Sequence, residues 1–290
     1  MPNSIRLDSL LAPGDPAVRV MRAHHTNCGR HDHDFYELVY VSEGFCLQDS
    51  AGSVILLIEG DIFVIKPGVS HKYIGNRVTH IFNCIFERQA VGEAIAELRM
   101  LPGLDRLFDP DPAAGLPRLH LTLAERKGCL RLITMMNDEC ERRDIGWRAR
   151  LKSLLVCLLV EFSRAYRAHV GSASEGGAYS AYVSQALAQI DSDYADAQLT
   201  VGAIAASVGV SSDYLSRQFR QVTGIAVQEY LRRYRFARAM ELLQTGLSVG
   251  DVAARVGFGS LCHFSREFKK ELGITPTQYR LQAGRDDAEN

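Results

Sequence analysis

The stretch HDHDFYELVYVSEG, residues 31–44, places two histidines on either side of one residue and a glutamate four positions after the second. Imidazole nitrogens and one carboxylate are donors that zinc, iron, nickel or manganese take from a protein. In an extended chain His31, His33 and Glu37 share parity, so their side chains leave a strand on the same face. Three uses of this set stand side by side. It is a catalytic metal centre, or a sensing pocket in which a metal (or the same residues without one) holds a small molecule, or a structural cluster whose members hydrogen-bond one another. The elements that carry these residues, and whatever else the chain contains, must decide among them.

A chain of 290 residues has room for about two domains. Its 47% apolar and 23% charged content is that of an ordinary globular protein. The longest apolar run, LLVCLLV at 154–160, is far short of the roughly 20 residues that cross a bilayer. The start, MPNSIRLDSLLAPGD, has no apolar block behind a basic head, so no secretory signal and no membrane partner are expected. Cys28, Cys46, Cys84, Cys129, Cys140, Cys157 and Cys262 are scattered and lack CxxC spacing. That pattern suits free thiols in a reducing cytoplasm.

Residues 18–87 read as strands: VRVMRAH, FYELVYV, GFCLQD, SVILLI, DIFVI and THIFNCIF are short, β-branched or aromatic, and broken by Gly, Asp or Pro. Many short strands between turns predict a sandwich or barrel. From about residue 88 the pattern turns helical, in AVGEAIAELRML, LAERKGCLRLITMMNDECERRD and WRARLKSLLVCLLVEFSRAY, with PGLDRLFDPDPAAGLP as a loop. In the last helix Trp147, Leu151, Leu154, Leu155, Leu158 and Phe162 form an apolar stripe that packs on the barrel, pairs with a second subunit, or does both. VGSASEGGAYS at 170–180 reads as a linker, and everything beyond it as helix. The expected division is a sensing barrel over 1–90, a helical dimerisation segment over 91–169, a linker over 170–181, a helical domain over 182–282 and a disordered tail over 283–290.

The last domain contains one pattern twice. AIAASVGVSSDYLSRQFRQVTGIAVQEY matches DVAARVGFGSLCHFSREFKKELGITPTQY through Ala205 and Ala253, Gly209 and Gly257, Ser216–Arg217 and Ser265–Arg266, Phe219 and Phe268, Gly224 and Gly273, and Tyr230 and Tyr279. Such self-similarity marks a duplicated unit. In each unit a capped helix (Thr200, Ser248) ends at a glycine, and a second capped helix carries a buried i,i+4 pair, Leu215 with Phe219 or Phe264 with Phe268. Helix, short turn and helix make the helix-turn-helix, whose second member enters the DNA major groove. VQEYLRRYRFARAMELLQ, 227–244, reads as one helix of roughly 27 Å between the units. That length suits recognition helices that read successive major-groove faces about 34 Å apart. Between Tyr214 and Arg280 eleven Lys and Arg stand against five Asp and Glu, the charge bias that phosphate contact needs.

With the core positions excluded, the first recognition helix offers Ser212, Asp213, Ser216 and Arg217, with Arg220 beyond. The second offers Leu261, Cys262, Ser265 and Arg266, with Lys269 and Lys270 behind. Arg217 and Arg266 can each make two bonds to guanine. Arg220, Lys269 and Lys270 suit phosphates. Leu261 and Cys262 suit a thymine methyl. The segment AARVGFGSLCHFSREFKKELGITPTQYR resembles the signature of the AraC/XylS transcription regulators, through Ala253, Gly257, Phe258, Phe264, Ser265, Arg266, Phe268, Lys269, Gly273, Thr275 and Pro276. The first unit departs from it, with Val227 where the second has Pro276. The resemblance covers about 190–281 and implies promoter binding, usually as an activator that touches RNA polymerase.

With that resemblance in place, HDHDFYELVYVSEG is similar to the first cupin motif through His31, His33, Glu37 and Gly44, and GDIFVIKPGVSH to the second through Gly60, Pro67, Gly68 and His71. The cupin resemblance implies that His71, from another strand, completes a three-histidine, one-carboxylate set inside a barrel, the ligand set of a metal-holding cupin for Zn, Ni, Fe or Mn. The pairing with a DNA-binding domain argues against catalysis and for sensing. HDHDFYELVYV and GDIFVIKPGVSHKY look most like the activators of L-rhamnose catabolism. Phe35 and Tyr73 share parity with the histidines and could stack on a sugar, and Asn83 joins them if its strand turns that face inward.

The chain therefore reads as α+β: an N-terminal cupin β-barrel with a helical dimerisation segment, then an all-α domain with two helix-turn-helix units joined by a long helix. The expected function is a cytoplasmic, homodimeric transcription regulator, an activator rather than an enzyme, controlled by a carbohydrate effector and bound to promoter DNA. No cofactor is required beyond a possible divalent metal. The competing expectations are a ligand-independent regulator whose barrel only dimerises the chain, and a metal-dependent cupin enzyme.

Overall fold

A computed structural model of the chain describes residues 3–24, 28–50, 53–74, 79–109, 118–169 and 177–289. In chain order the strands are β1 (Asn3–Ile5), β2 (Val18–His24), β3 (Cys28–His33), β4 (Tyr36–Glu43), β5 (Phe45–Ser50), β6 (Ser53–Ile58), β7 (Asp61–Ile65), β8 (His71–Ile74), β9 (His80–Phe86) and β10 (Leu119–His120). The helices are α1 (Ile95–Leu98), α2 (Leu104–Leu107), α3 (Leu123–Arg142), α4 (Trp147–His169), α5 (Gly177–Asp193), α6 (Val201–Ser207), α7 (Ser212–Thr223), α8 (Val227–Leu242), α9 (Val249–Arg255), α10 (Leu261–Leu272) and α11 (Pro276–Glu289).

The strands make two five-stranded sheets, ordered β1-β3-β8-β5-β6 and β10-β7-β4-β9-β2. Alternation along each strand assigns the layers. On β4, Val39 and Val41 point between the sheets, where Cys46, Leu57, Phe63, Ile65, Tyr73 and Ile81 close an apolar interior. Leu38 and Tyr40 point the other way, into a cluster with α3 and α4. Because both faces of β4 are covered, its sequence is almost continuously apolar. The α3 N-terminus carries a capping box, in which Thr122 accepts from the Glu125 amide and Glu125 returns a bond to the Thr122 amide.

The outer face of the first sheet is also buried, and this decides how the two halves meet. Phe45, Leu47, Leu56, Ile58 and Ile74 share one hydrophobic cluster with the C-terminal helices. The element laid across them is α8, which touches β5, β6 and β8.

In the helical domain the expected signals do their work. Thr200, Ser211, Ser248 and Ser260 each accept a backbone N–H in the first turn of the helix they cap. Gly224 and Gly273 end α7 and α10 in the left-handed conformation. The helices α6–α7 and α9–α10 form the two duplicated units, with α8 between them.

Five expectations change. The barrel does not end at 90, because β10 at Leu119–His120 pairs with β7 and extends the second sheet; two residues are too short a strand to announce themselves by alternation. The α4 stripe is enclosed within the chain, with Leu151, Leu155, Leu158 and Phe162 at 0% exposure, so it packs on the barrel and is not available to a second subunit. Of the expected linker, 170–176 lie outside the described residues, and from Gly177 the backbone is already helical. The expected disordered tail continues α11 as helical backbone to Glu289, in a stretch that contains no proline to stop it. The joining helix is 16 residues rather than 18, about 24 Å at 1.5 Å per residue.

Candidate functional site

The barrel interior is polar at one end. His31 on β3 stands opposite His71 on β8 in the antiparallel ladder. Both rings turn inward, and their centroids are 4.3 Å apart. His33, at the end of β3, and Glu37, near the start of β4, complete the group. The Glu37 Oε2 lies 3.2 Å from His33 Nε2 and 3.6 Å from His71 Nε2. All four side chains are buried.

Each imidazole is oriented by the backbone two residues away. His31 Nδ1 is 2.9 Å from the Gly29 carbonyl, His33 Nδ1 2.7 Å from that of Phe35, and His71 Nδ1 3.1 Å from that of Val69. A carbonyl only accepts, so each Nδ1 carries its proton. That leaves the Nε2 atoms of His33 and His71 facing Glu37. Burial alone would raise the Glu37 pKa, but hydrogen bonding and charge from His33 and His71 outweigh it and hold the carboxyl well below the usual carboxylate range. A buried carboxylate in this position needs positive charge beside it, supplied by protonated imidazole or by a cation. The ligand atoms of His33, Glu37 and His71 lie within 4.8 Å of one another, close enough to share one ion. His31 is not part of that triple; it sits beside His71, and burial lowers its pKa. Imidazoles held by the backbone at Nδ1, with the Nε2 atoms of His33 and His71 turned toward one carboxylate, are the arrangement a divalent metal needs.

Phe35 occupies the bend between β3 and β4, with its ring 4.3 Å from that of His33 and nearly parallel to it. It packs with Leu7 and Ile85, so it braces the imidazole instead of offering an open stacking face. Tyr73 faces the interior edge-on to His71, at 5.5 Å. Asn83 lies between Ile81 and Ile85, whose side chains both turn into the barrel, so Asn83 faces inward too. Gln48, buried at 5% exposure, was not singled out in the sequence. It pairs directly with Tyr73 and shares parity with the interior Cys46, and that parity is the signal that would have found it.

The two second helices of the duplicated units, α7 and α10, turn most of the residues proposed for nucleic acid to the surface. On α7, Ser212, Asp213, Arg217 and Arg220 are exposed and Ser216 is half-buried, while Leu215 and Phe219 are fully enclosed. On α10, Leu261, Cys262, Arg266, Lys269 and Lys270 are exposed and Ser265 is half-buried, over enclosed Phe264 and Phe268. The Arg217 guanidinium lies 5.8 Å from the Tyr214 ring centre. His263, also missed in the sequence, is exposed at the start of α10, with its Nδ1 3.4 Å from Arg266 Nη2. It takes the place in the second unit that Tyr214 holds in the first, and it can steer the arginine as that ring does.

Two protein families match the chain, a helix-turn-helix domain over residues 204–282 and an AraC-like ligand binding domain over residues 15–134. Together they take in well over half of it. The chain belongs to the AraC family of transcription regulators. The transcriptional activator RhaS of Klebsiella pneumoniae (strain 342) is 28% identical over 261 residues, covering 88% of both chains. The activator RhaR of Enterobacter sp. (strain 638) is 28% identical over 283 residues, covering 97% of both. Among solved structures, an AraC-type regulator from Chromobacterium violaceum is 30% identical with a TM-score of 0.34, covering 37% of this chain and 96% of that one. The DNA-binding domain of AdpA bound to target DNA is 29% identical with a TM-score of 0.35, covering 37% and 97%. The helix-turn-helix match makes DNA a partner of this regulator, and the AraC-like match makes the barrel its ligand-binding domain. No helix among the described residues is long and apolar enough to cross a membrane.

The barrel and the DNA-binding domain are joined by specific polar contacts as well as by apolar area. β6 is the edge of its sheet, and three of its backbone groups find partners beyond it. The Leu56 N–H donates to the Tyr230 hydroxyl of α8 at 3.2 Å. The Leu56 carbonyl accepts from Arg118 at 2.9 Å, and the Ile58 N–H donates to Asp61 at 2.7 Å. The fully buried Asp61 also binds Arg118 and His120, each at 2.9 Å. The His120 ring is pressed against Gly224, the C-cap of α7. Further along, Lys72 reaches Glu241 of α8 at 2.9 Å, and Arg233 lies over the Phe45 ring at 5.5 Å.

Proposed function

We propose that this regulator is a promoter-binding activator switched by a neutral sugar held inside the barrel. One observation carries the reading. On β8, His71 and Tyr73 point into the polar end of the barrel, while Lys72 and Ile74 point outward onto the DNA-binding domain. Alternation makes the two faces of one short strand the wall of the pocket and the seat of α8. A ligand that moves His71 or Tyr73 therefore moves the surface that holds the strut between the two recognition helices. Names among the relatives, RhaS and RhaR, support a sugar of the rhamnose type and activation of transcription.

The remaining roles follow from the same geometry. Arg217 and Arg266 read bases from α7 and α10, with Ser212, Asp213, Ser216, Leu261, Cys262 and Ser265 beside them. Arg220, Lys269 and Lys270 hold phosphates. His33, Glu37 and His71 would hold a divalent ion, zinc, nickel, iron or manganese, and such an ion supplies a Lewis-acidic contact for ligand hydroxyls. The donor set serves recognition in this reading and not turnover. Leu123 and Leu130, exposed at 75% and 36% on α3, offer the helical segment's outer face to a second copy. RNA polymerase is the further partner that activation needs.

The test is a thermal-shift measurement on the full chain with L-rhamnose and other neutral hexoses, with and without EDTA, alongside the metal content of the purified protein. The reading expects a sugar-dependent rise in melting temperature. If no neutral sugar shifts the protein while operator binding is intact, the barrel serves only to pair two chains.

A further inference from the structure

The polar end of the barrel contains two side-chain amides that the fold leaves without partners. Asn83 Oδ1 is buried and has no hydrogen bond. No hydrogen bond of the Gln48 amide is found among the described residues either, although the residue is almost wholly enclosed. Apolar Val39 and Ile81 lie on one side of them, and the His33, Glu37 and His71 group on the other. In a barrel of valine, isoleucine and phenylalanine, an unclaimed amide is costly unless something else occupies it.

Their positions are complementary. Asn83 sits on β9, in register with Val39 of β4. Glu37 is two residues from Val39 and shares its face, so Asn83 and Glu37 are diagonal neighbours on one wall. Gln48 sits on β5 of the opposite sheet, directly paired with Tyr73. The two amides thus face the space between the sheets from both sides, next to the His33, Glu37 and His71 group. Each amide offers one acceptor and two N–H donors. Vicinal hydroxyls match that pattern, one donating to the amide oxygen and its neighbour accepting from the amide nitrogen.

We propose that Asn83 and Gln48 are the hydroxyl-reading residues of the effector pocket, and that they select a neutral polyhydroxy ligand with adjacent free hydroxyls. This rests on the sugar-sensing reading above and adds to it the residues that set ligand class. Asn83 and Gln48 carry no charge, so they offer an anionic ligand, such as a sugar acid or sugar phosphate, no counter-charge and favour the neutral sugar. A deoxy or methylated analogue that lacks a contacted hydroxyl leaves an amide unpaired again and binds more weakly.

The experiment uses the full chain and the variants Asn83→Leu and Gln48→Met, which keep size and remove hydrogen bonding. Calorimetric titration with L-rhamnose, its O-methylated analogues and L-rhamnonate, and the melting temperature without ligand, are compared. The proposal expects each variant to lose at least about ten-fold in sugar affinity. It also expects the ligand-free melting temperature to hold or rise, because an orphan polar group has been removed, and metal content to match the parent. L-Rhamnonate should fail to bind the parent. If the parent binds the sugar and both variants bind it equally well, the assignment of Asn83 and Gln48 is wrong while the sugar reading survives. If the parent binds no neutral sugar at all, both fall. A variant whose ligand-free melting temperature drops by several degrees shows that the amide serves the fold, and that result also overturns the proposal.

Discussion

Replacing Tyr230 by phenylalanine removes one oxygen from the boundary between the barrel and the DNA-binding domain. That hydroxyl is the acceptor for the Leu56 N–H of edge strand β6, at 3.2 Å. Both Tyr230 and Leu56 are buried, at 3% and 0% exposure, so no bulk water takes the oxygen's place. The aromatic ring keeps its packing, edge-on to Phe219 at 5.3 Å and stacked with Tyr234 at 6.4 Å. The change therefore isolates a single term, a buried backbone donor left without a partner, which costs about 1–3 kcal/mol. In a protein of this size that corresponds to a fall of roughly 2–4 °C in melting temperature per kcal/mol. The assay is thermal and urea unfolding of the full chain, with Tyr182→Phe as the control, since that ring packs on the helical core and edge-on to Tyr214, away from β6. A Tyr230→Phe protein that melts within about half a degree of the parent would mean that the hydroxyl does not hold the two domains together, and the coupling drawn through α8 would lose its best-defined contact.

Three further outcomes follow from the same contacts. Asp61→Asn leaves the Arg118 guanidinium buried without its counter-charge, and chemical denaturation should register a loss of about 3–5 kcal/mol. Gly224→Ala asks alanine to adopt a φ of 80° and drives its methyl into His120; stability should fall by more than the roughly 1–2 kcal/mol that the left-handed conformation alone costs, and a neutral result would show that His120 is free to move away. Arg266→Ala, at a side chain 73% exposed on α10, should leave the melting temperature unchanged and weaken specific operator binding by about 1–3 kcal/mol, with an unaltered footprint as the contrary result.

The helical domain was almost fully legible in its sequence because its signals are local. Caps at Thr200 and Ser248, terminating glycines and buried i,i+4 pairs each act within one or two turns, and the duplication repeats every one of them. His31, His33 and Glu37 were legible for the same reason, since strand parity needs no distant partner. What stayed hidden depends on residues far apart in the chain. The enclosure of β6 is completed by Tyr230, which lies 174 residues away. β10 exists only because β7 is beside it, and Gln48 becomes a pocket residue only once β5 and β8 are paired. The α4 stripe had two possible partners in the sequence, and only packing against the second sheet shows that the barrel fills it. His31 shows the limit of motif reasoning: it shares the parity of the set, yet it lies against the His71 ring outside the three-atom cluster.

The central claim is that a sugar inside the barrel alters how the two recognition helices engage DNA. Fluorescence anisotropy of the full chain on its footprinted operator, with and without saturating L-rhamnose, tests it most directly. A coupling of about 1–3 kcal/mol predicts a roughly 5- to 150-fold difference between the two Kd values, reduced when Lys72→Ala and Tyr230→Phe are combined. Identical operator affinity in the two conditions, from a protein shown by titration to have the sugar bound, would contradict the account.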